Sequence, residues 1–96
     1  MADSDIVAVR VRILGRVQGV GYRDWALRRA RALRLRGWVR NRKDGSVEAL
    51  LIGAPAEVDR MIADCDRGPA MAYVEAVSAE PAALVACEGF TRRSTA

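Results

Sequence analysis

Histidine is missing from this sequence altogether. Its absence removes the usual general base near neutral pH, a phosphohistidine intermediate and most zinc or non-haem iron sites together. Cysteine is scarce: Cys65 and Cys87 are the only two and stand far apart, so no disulfide framework is read from them, and a reduced, cytoplasmic protein is expected. No secretory apolar segment is present, because Arg10 and Arg12 interrupt the first apolar run. Aromatic residues make up 5% of the chain, and lysine occurs once, at Lys43. Any catalysis must therefore use other groups.

What the chain does have is arginine. Fifteen of them with Lys43, against twelve carboxylates, give a net charge of +4, and half of the cations fall between Arg28 and Lys43. That balance favours an anionic partner. Arg28, Arg31 and Arg34 equally describe a solvated helix face, so charge alone does not decide. A chain of 96 residues removes roughly 60 to 70% of its unfolded surface from water and needs no metal or disulfide staple to fold. Without a linker, repeat or low-complexity tract, residues 1–96 read as one domain.

The periodicities describe one fold. "IVAVRVRIL" (Ile6 to Leu14) alternates, with Val7, Val9, Val11 and Ile13 on one face of a strand. From Tyr22 the period becomes helical: Tyr22, Trp25, Ala26, Arg29, Ala30 and Leu33 share a side, and Asp24 suits a first turn. "GWVRN" and "SVEALLIG" are strands joined by a turn in which Asp44-Gly45 is a hairpin signal. Pro55 opens a second helix carrying Val58, Met61, Ile62 and Cys65 at i, i+3, i+4, i+7. "AYVEAVSAE" (Ala72 to Glu80) is a fourth strand, and a weaker last strand is expected over Ala83 to Thr91. Strand, helix, strand, strand, helix, strand predicts an α+β, ferredoxin-like split βαβ sandwich: a four- to five-stranded antiparallel sheet with two helices on one face.

That topology sets "GRVQGVGYRDW" (Gly15 to Trp25) between the first strand and the first helix. Glycines at 15, 19 and 21 let successive N–H groups turn inward around an oxyanion at the helix N-terminus, with Arg23 beside them as a two-donor fork. Such a loop is more often only a turn. No Gly-Lys-Ser/Thr follows, so it is not a Walker loop.

"GRVQGVGYR" together with "GWVRNRKDGSVEALLIG" resembles the two signatures of the acylphosphatase family, and "CDRGPAMAYVEAV" is similar to the segment after that family's second helix. The likeness covers about residues 6 to 91. It implies a small metal- and cofactor-free hydrolase of acyl phosphates. Its phosphate cradle would be the backbone amides of Arg16, Val17, Gln18, Gly19, Val20, Gly21, Tyr22 and Arg23. Arg23 would be the essential arginine, and Asn41 would orient the attacking water. A small-molecule acyl phosphate is the implied partner, with no nucleic acid or membrane, and a monomer is expected.

Other readings stand beside this one. Cys87 and Arg93 have the C-x5-R spacing of cysteine phosphatases, but only three residues follow Arg93, too few for the helix that would lower the thiol pKa. Trp25 and Trp38 fall at apolar phases and read as core, Gly45 as the hairpin turn and Gly53 as a strand end. Arg34 stands where the family often has a glycine after the helix, which costs about 1 kcal/mol or shifts the helix end. The alternative from another class is a ferredoxin-like nucleic-acid-binding module. Such modules stack bases on aromatics of the central strands, and "IVAVRVRIL" and "SVEALLIG" contain none. A unit serving carbamoyl transfer within a larger protein is a third reading, disfavoured by the absence of cysteine-rich zinc modules.

Overall fold

The computed structural model describes residues 5–96; the expected 1–96 span includes four residues outside the described ones. Strands β1 (Val7–Arg16), β2 (Arg36–Asn41), β3 (Val47–Gly53), β4 (Tyr73–Pro81) and β5 (Phe90–Arg92) are interleaved with helices α1 (Tyr22–Ala32) and α2 (Pro55–Cys65). The strands form one sheet in the order β4-β1-β3-β2-β5. Among the described residues, no helix is long and apolar enough to cross a membrane.

Alternation decides which face each side chain takes. Val11 and Ile13 of β1 join Val47, Ala49 and Leu51 of β3 in one buried cluster. Both helices close over it, α1 through Tyr22, Ala26 and Ala30, and α2 through Val58, Met61 and Cys65. The intervening residues Leu50 and Ile52 turn to the other face, where they meet Ala8 and Trp38. β3 is therefore buried on both sides and needs apolar residues at successive positions, whereas the exterior β4 does not.

The four long strands pair antiparallel, as the turns predict. β5 joins the far edge parallel to β2, with Gly37 opposite Phe90, so the sheet is mixed. The reason lies in the segment 82–89, which crosses from the β4 edge to the β2 edge over the face without helices. Its Ala82 and Cys87 pack on the Ala8, Trp38, Leu50 and Ile52 cluster. The chain arrives at the end where β2 begins and can only run alongside it. Only Phe90–Arg92 is then left to pair, much shorter than the strand expected over Ala83 to Thr91.

Arg34 bears out the expected tension at the end of α1. It is the one non-glycine residue with positive φ among the described residues, at 61°. Its N–H donates to the Arg31 carbonyl at 3.0 Å and that of Leu35 to Ala30 at 2.9 Å, the paired bonds of a left-handed helix cap. An Arg34→Gly variant is expected to gain about 1 kcal/mol, raising Tm by roughly 4 to 8 °C. An unchanged or lower Tm in thermal unfolding contradicts this.

On the face without helices, Glu48 is nearly buried among three arginines. Its Oε1 lies 2.8 Å from Arg40 Nη2 and 3.2 Å from Arg42 Nη1, and its Oε2 3.7 Å from Arg10 Nε. Burial by itself would raise the carboxyl pKa, but the hydrogen bond from Arg40 and the charges of Arg40, Arg42 and Arg10 outweigh it and leave the pKa lowered. A pKa depressed by folding contributes stability above the unfolded value, about 4.5, and that stability is lost as pH falls through the folded value. Glu48→Gln is expected to cost about 2 kcal/mol at neutral pH, less than for a fully buried pair because the arginines reach solvent. It should also flatten the loss of stability below pH 4.5, which urea titrations across pH measure.

Candidate active site

β1 ends irregularly. Its pairing with β4 shifts register between Leu14 and Gly15, after which Gly15 and Arg16 still pair with Val74 and Tyr73 before the chain leaves the sheet. The loop that follows is fastened on two sides. Val17 is buried in the main cluster, and Gln18 spends both amide hydrogens on the neighbouring hairpin, Nε2 donating to the carbonyls of Arg42 at 2.7 Å and Ser46 at 2.8 Å. That hairpin is itself set by Asp44, whose Oδ1 accepts from the Ser46 hydroxyl at 2.6 Å and N–H at 2.9 Å, and whose pKa those two bonds lower.

Between these fixings the backbone curls. Gly19 and Gly21 have φ of 74° and 80°, while Gln18 and Val20 are not among the positive-φ residues, so the sign of φ alternates along the loop. Alternation of this kind turns successive N–H groups toward one concave side, and two positions in it are costly for any residue with a Cβ. Gly21 also caps α1 with no side-chain hydrogen bond, leaving the first amides of an eleven-residue helix without a side-chain partner. Positive potential is therefore concentrated where the loop meets the helix.

One hollow of about 210 Å³ gathers the expected residues. Val17, Gly19, Gly21, Tyr22 and Arg23 line it together with Asn41. Three members of the predicted cradle, Arg16, Gln18 and Val20, do not line it: Arg16 closes the β1–β4 ladder opposite Tyr73, and Gln18 faces the hairpin. The Tyr22 hydroxyl is spent in the core, donating to the Cys65 carbonyl at 2.6 Å, and burial pushes the phenol pKa up. The Cys65 thiol beneath is pushed up to about 11 by burial. Trp25 packs edge-on to Tyr22, with ring centroids 5.3 Å apart. Both are core contacts supporting the start of α1.

Arg23 and Asn41 are held by different means. Arg23 Nη1 donates to the Arg93 carbonyl at 3.3 Å, while the Arg93 N–H donates to Val39 on β2 at 2.8 Å, so the guanidinium is steadied by the chain beside Asn41. Asn41 ends β2 opposite Val47, and its carbonyl accepts from the Ala96 N–H at 3.0 Å. Among the described residues its side-chain amide makes no hydrogen bond, which leaves one acceptor and two donors for a ligand or water.

Two residues of the hollow escaped the sequence reading. Asp24 and Arg92 both line it, Arg92 Nη1 donating to Asp24 Oδ1 at 2.6 Å. The Cys87–Arg93 spacing, by contrast, encloses nothing: Cys87 packs against the second cluster, and the Arg93 guanidinium lies 4.9 Å from the Trp38 ring centroid. Trp38, with Arg40 at 4.6 Å, is core as expected. A larger hollow of about 480 Å³ lies at the opposite end of the sheet, between Arg34, Arg36 and Glu57, and contains none of the expected site residues. Size does not mark the candidate site; the meeting of loop glycines, Arg23 and Asn41 in one hollow does.

Known proteins resemble this chain in sequence and in fold. The sequence pattern of the family described as acylphosphatase matches residues 9–91. An acylphosphatase of Rhodopseudomonas palustris is 62% identical over 71 residues, 74% of this chain and 72% of that one. One from Acidiphilium cryptum is 46% identical over 90 residues, 94% of this chain and 99% of its own. The structure of an acylphosphatase from Coxiella burnetii superposes with a TM-score of 0.90 at 29% identity, covering 94% of this chain and 95% of that one. With the pattern spanning most of the sequence, and relatives alike over 72% and 99% of their own length, this chain belongs to the acylphosphatase family.

Proposed function

We propose that the chain hydrolyses the carboxyl–phosphate bond of small acyl phosphates without a metal. The loop amides between Arg16 and Arg23 and the Arg23 guanidinium hold the phosphoryl group, and Asn41 orients the water. Family and fold support acyl phosphate hydrolysis as the activity. The residue roles rest on one observation above all: Arg23, Asn41 and the loop glycines line a single hollow although they come from separate elements.

The chemistry suits these groups. Water oxygen attacks phosphorus in line, the bond from phosphorus to the acyl oxygen breaks, and the carboxylate leaves with the electron pair. A carboxylate is already a good leaving group, so no strong general acid is required. The main task is to stabilise charge on the phosphoryl oxygens, which fixed amides and a guanidinium do without reorganising. The carboxamide of Asn41 is too weak a base to deprotonate water fully. It aligns the nucleophile, and the proton leaves to phosphate or solvent as the P–O bond forms. No histidine is present to impose a switch near neutral pH.

Hydrolysis of benzoyl phosphate in water labelled with heavy oxygen tests this mechanism. The label is expected in inorganic phosphate and not in benzoate; label in benzoate means attack at the carbonyl carbon and overturns the assigned roles.

A further inference from the structure

The hollow contains a second guanidinium that the reaction as described does not use. Arg92 of β5 lines it together with Arg23 and Asn41, tied to Asp24 at 2.6 Å. The side chains of Arg92 and Asp24 are 46% and 56% exposed, whereas Val17 in the same hollow is 1% exposed. The pair therefore stands at the rim, and Val17 and Tyr22 lie deeper, with the exposed Gly19 and Gly21 of the loop beside them. Resting on the acyl phosphate reading, we propose that Arg92 determines specificity for the acyl group, favouring substrates whose acyl part carries its own carboxylate or phosphate, with Asp24 aiming the guanidinium.

A substrate whose phosphoryl group sits among the loop amides must direct its acyl part toward the rim. There Arg92 has five N–H donors, of which the single bond to Asp24 uses one. The rest suffice for a two-pronged grip on a second anion. A purely structural role as a strut between α1 and β5 explains the pair poorly. Ion pairs this exposed add little to stability, and that junction is already fastened by Arg31, whose Nε and Nη2 donate to the Phe90 carbonyl at 3.2 and 3.0 Å. The local charge points the same way: Arg23 and Arg92 against Asp24 leave an excess positive charge before the helix dipole is added.

The experiment compares kcat/KM for 4-carboxybenzoyl phosphate with that for benzoyl phosphate, taking both from the same preparation so that the fraction of folded protein cancels in the ratio. Arg92→Leu is expected to lower this ratio about tenfold relative to wild type, chiefly through KM for the carboxylated substrate. Asp24→Asn, which weakens the bond that aims the guanidinium, is expected to lower it as well, by a smaller factor. A ratio that Arg92→Leu leaves unchanged, with benzoyl phosphate still hydrolysed, overturns the specificity role and leaves the acyl phosphate reading standing. Hydrolysis of neither substrate by the wild-type chain overturns that reading, and the specificity role with it.

Discussion

Arg23→Ala is expected to lower kcat/KM for benzoyl phosphate by at least about a hundredfold, the loss of about 3 kcal/mol of transition-state stabilisation that removal of one charge-stabilising donor produces. Folding should survive the change. Arg23 is partly exposed, and its hydrogen bond within the protein is a 3.3 Å contact to the Arg93 carbonyl. Circular dichroism and Tm close to wild type, alongside the lost activity, are the expected pairing. Arg23→Lys restores the charge without the planar fork and should recover only part of the rate. Full activity in Arg23→Ala would mean that the amides alone carry the phosphoryl group.

Asn41→Ala is expected to act differently, lowering kcat by about a hundredfold with little change in KM. Its carboxamide is assigned to the water and not to the phosphoryl group, so truncation removes orientation of the nucleophile and leaves ground-state binding intact. Steady-state kinetics separate the two cases. A raised KM with kcat preserved would assign Asn41 to substrate binding. The backbone of Asn41 stays paired with Val47 in either case, so β2 should keep its register.

These two residues also show what was legible in the sequence. Short-range patterns translate directly: the alternation of Val7 to Ile13 became β1, Asp44-Gly45 became the hairpin, and the apolar spacing of Val58 to Cys65 became the buried stripe of α2. The misfit of Arg34 was readable through the resemblance, because the family often has a glycine there and a left-handed position tolerates few other residues. Composition supplied an anion-binding loop but no reaction, and it was the family resemblance at Arg23 and Asn41 that gave those side chains roles.

Contacts between distant segments were not legible, and for a physical reason. Arg92 meets Asp24 across 68 positions, Arg23 meets Arg93 across 70, and Gln18 bonds to carbonyls 24 and 28 positions ahead. Each depends on where β5 or the hairpin comes to rest, which local periodicity does not encode. The parallel setting of β5 is of the same kind, since it follows from 82–89 crossing the sheet and not from any property of "FTR".

The most direct test of the whole account is the rate of benzoyl phosphate hydrolysis by the purified chain after dialysis against excess chelator. If fixed amides and Arg23 neutralise the phosphoryl charge, the rate is unchanged by the chelator and unchanged again when magnesium is restored. A rate that collapses in chelator and returns with a divalent cation contradicts the account, because the charge assigned to Arg23 and the loop would then be supplied by metal.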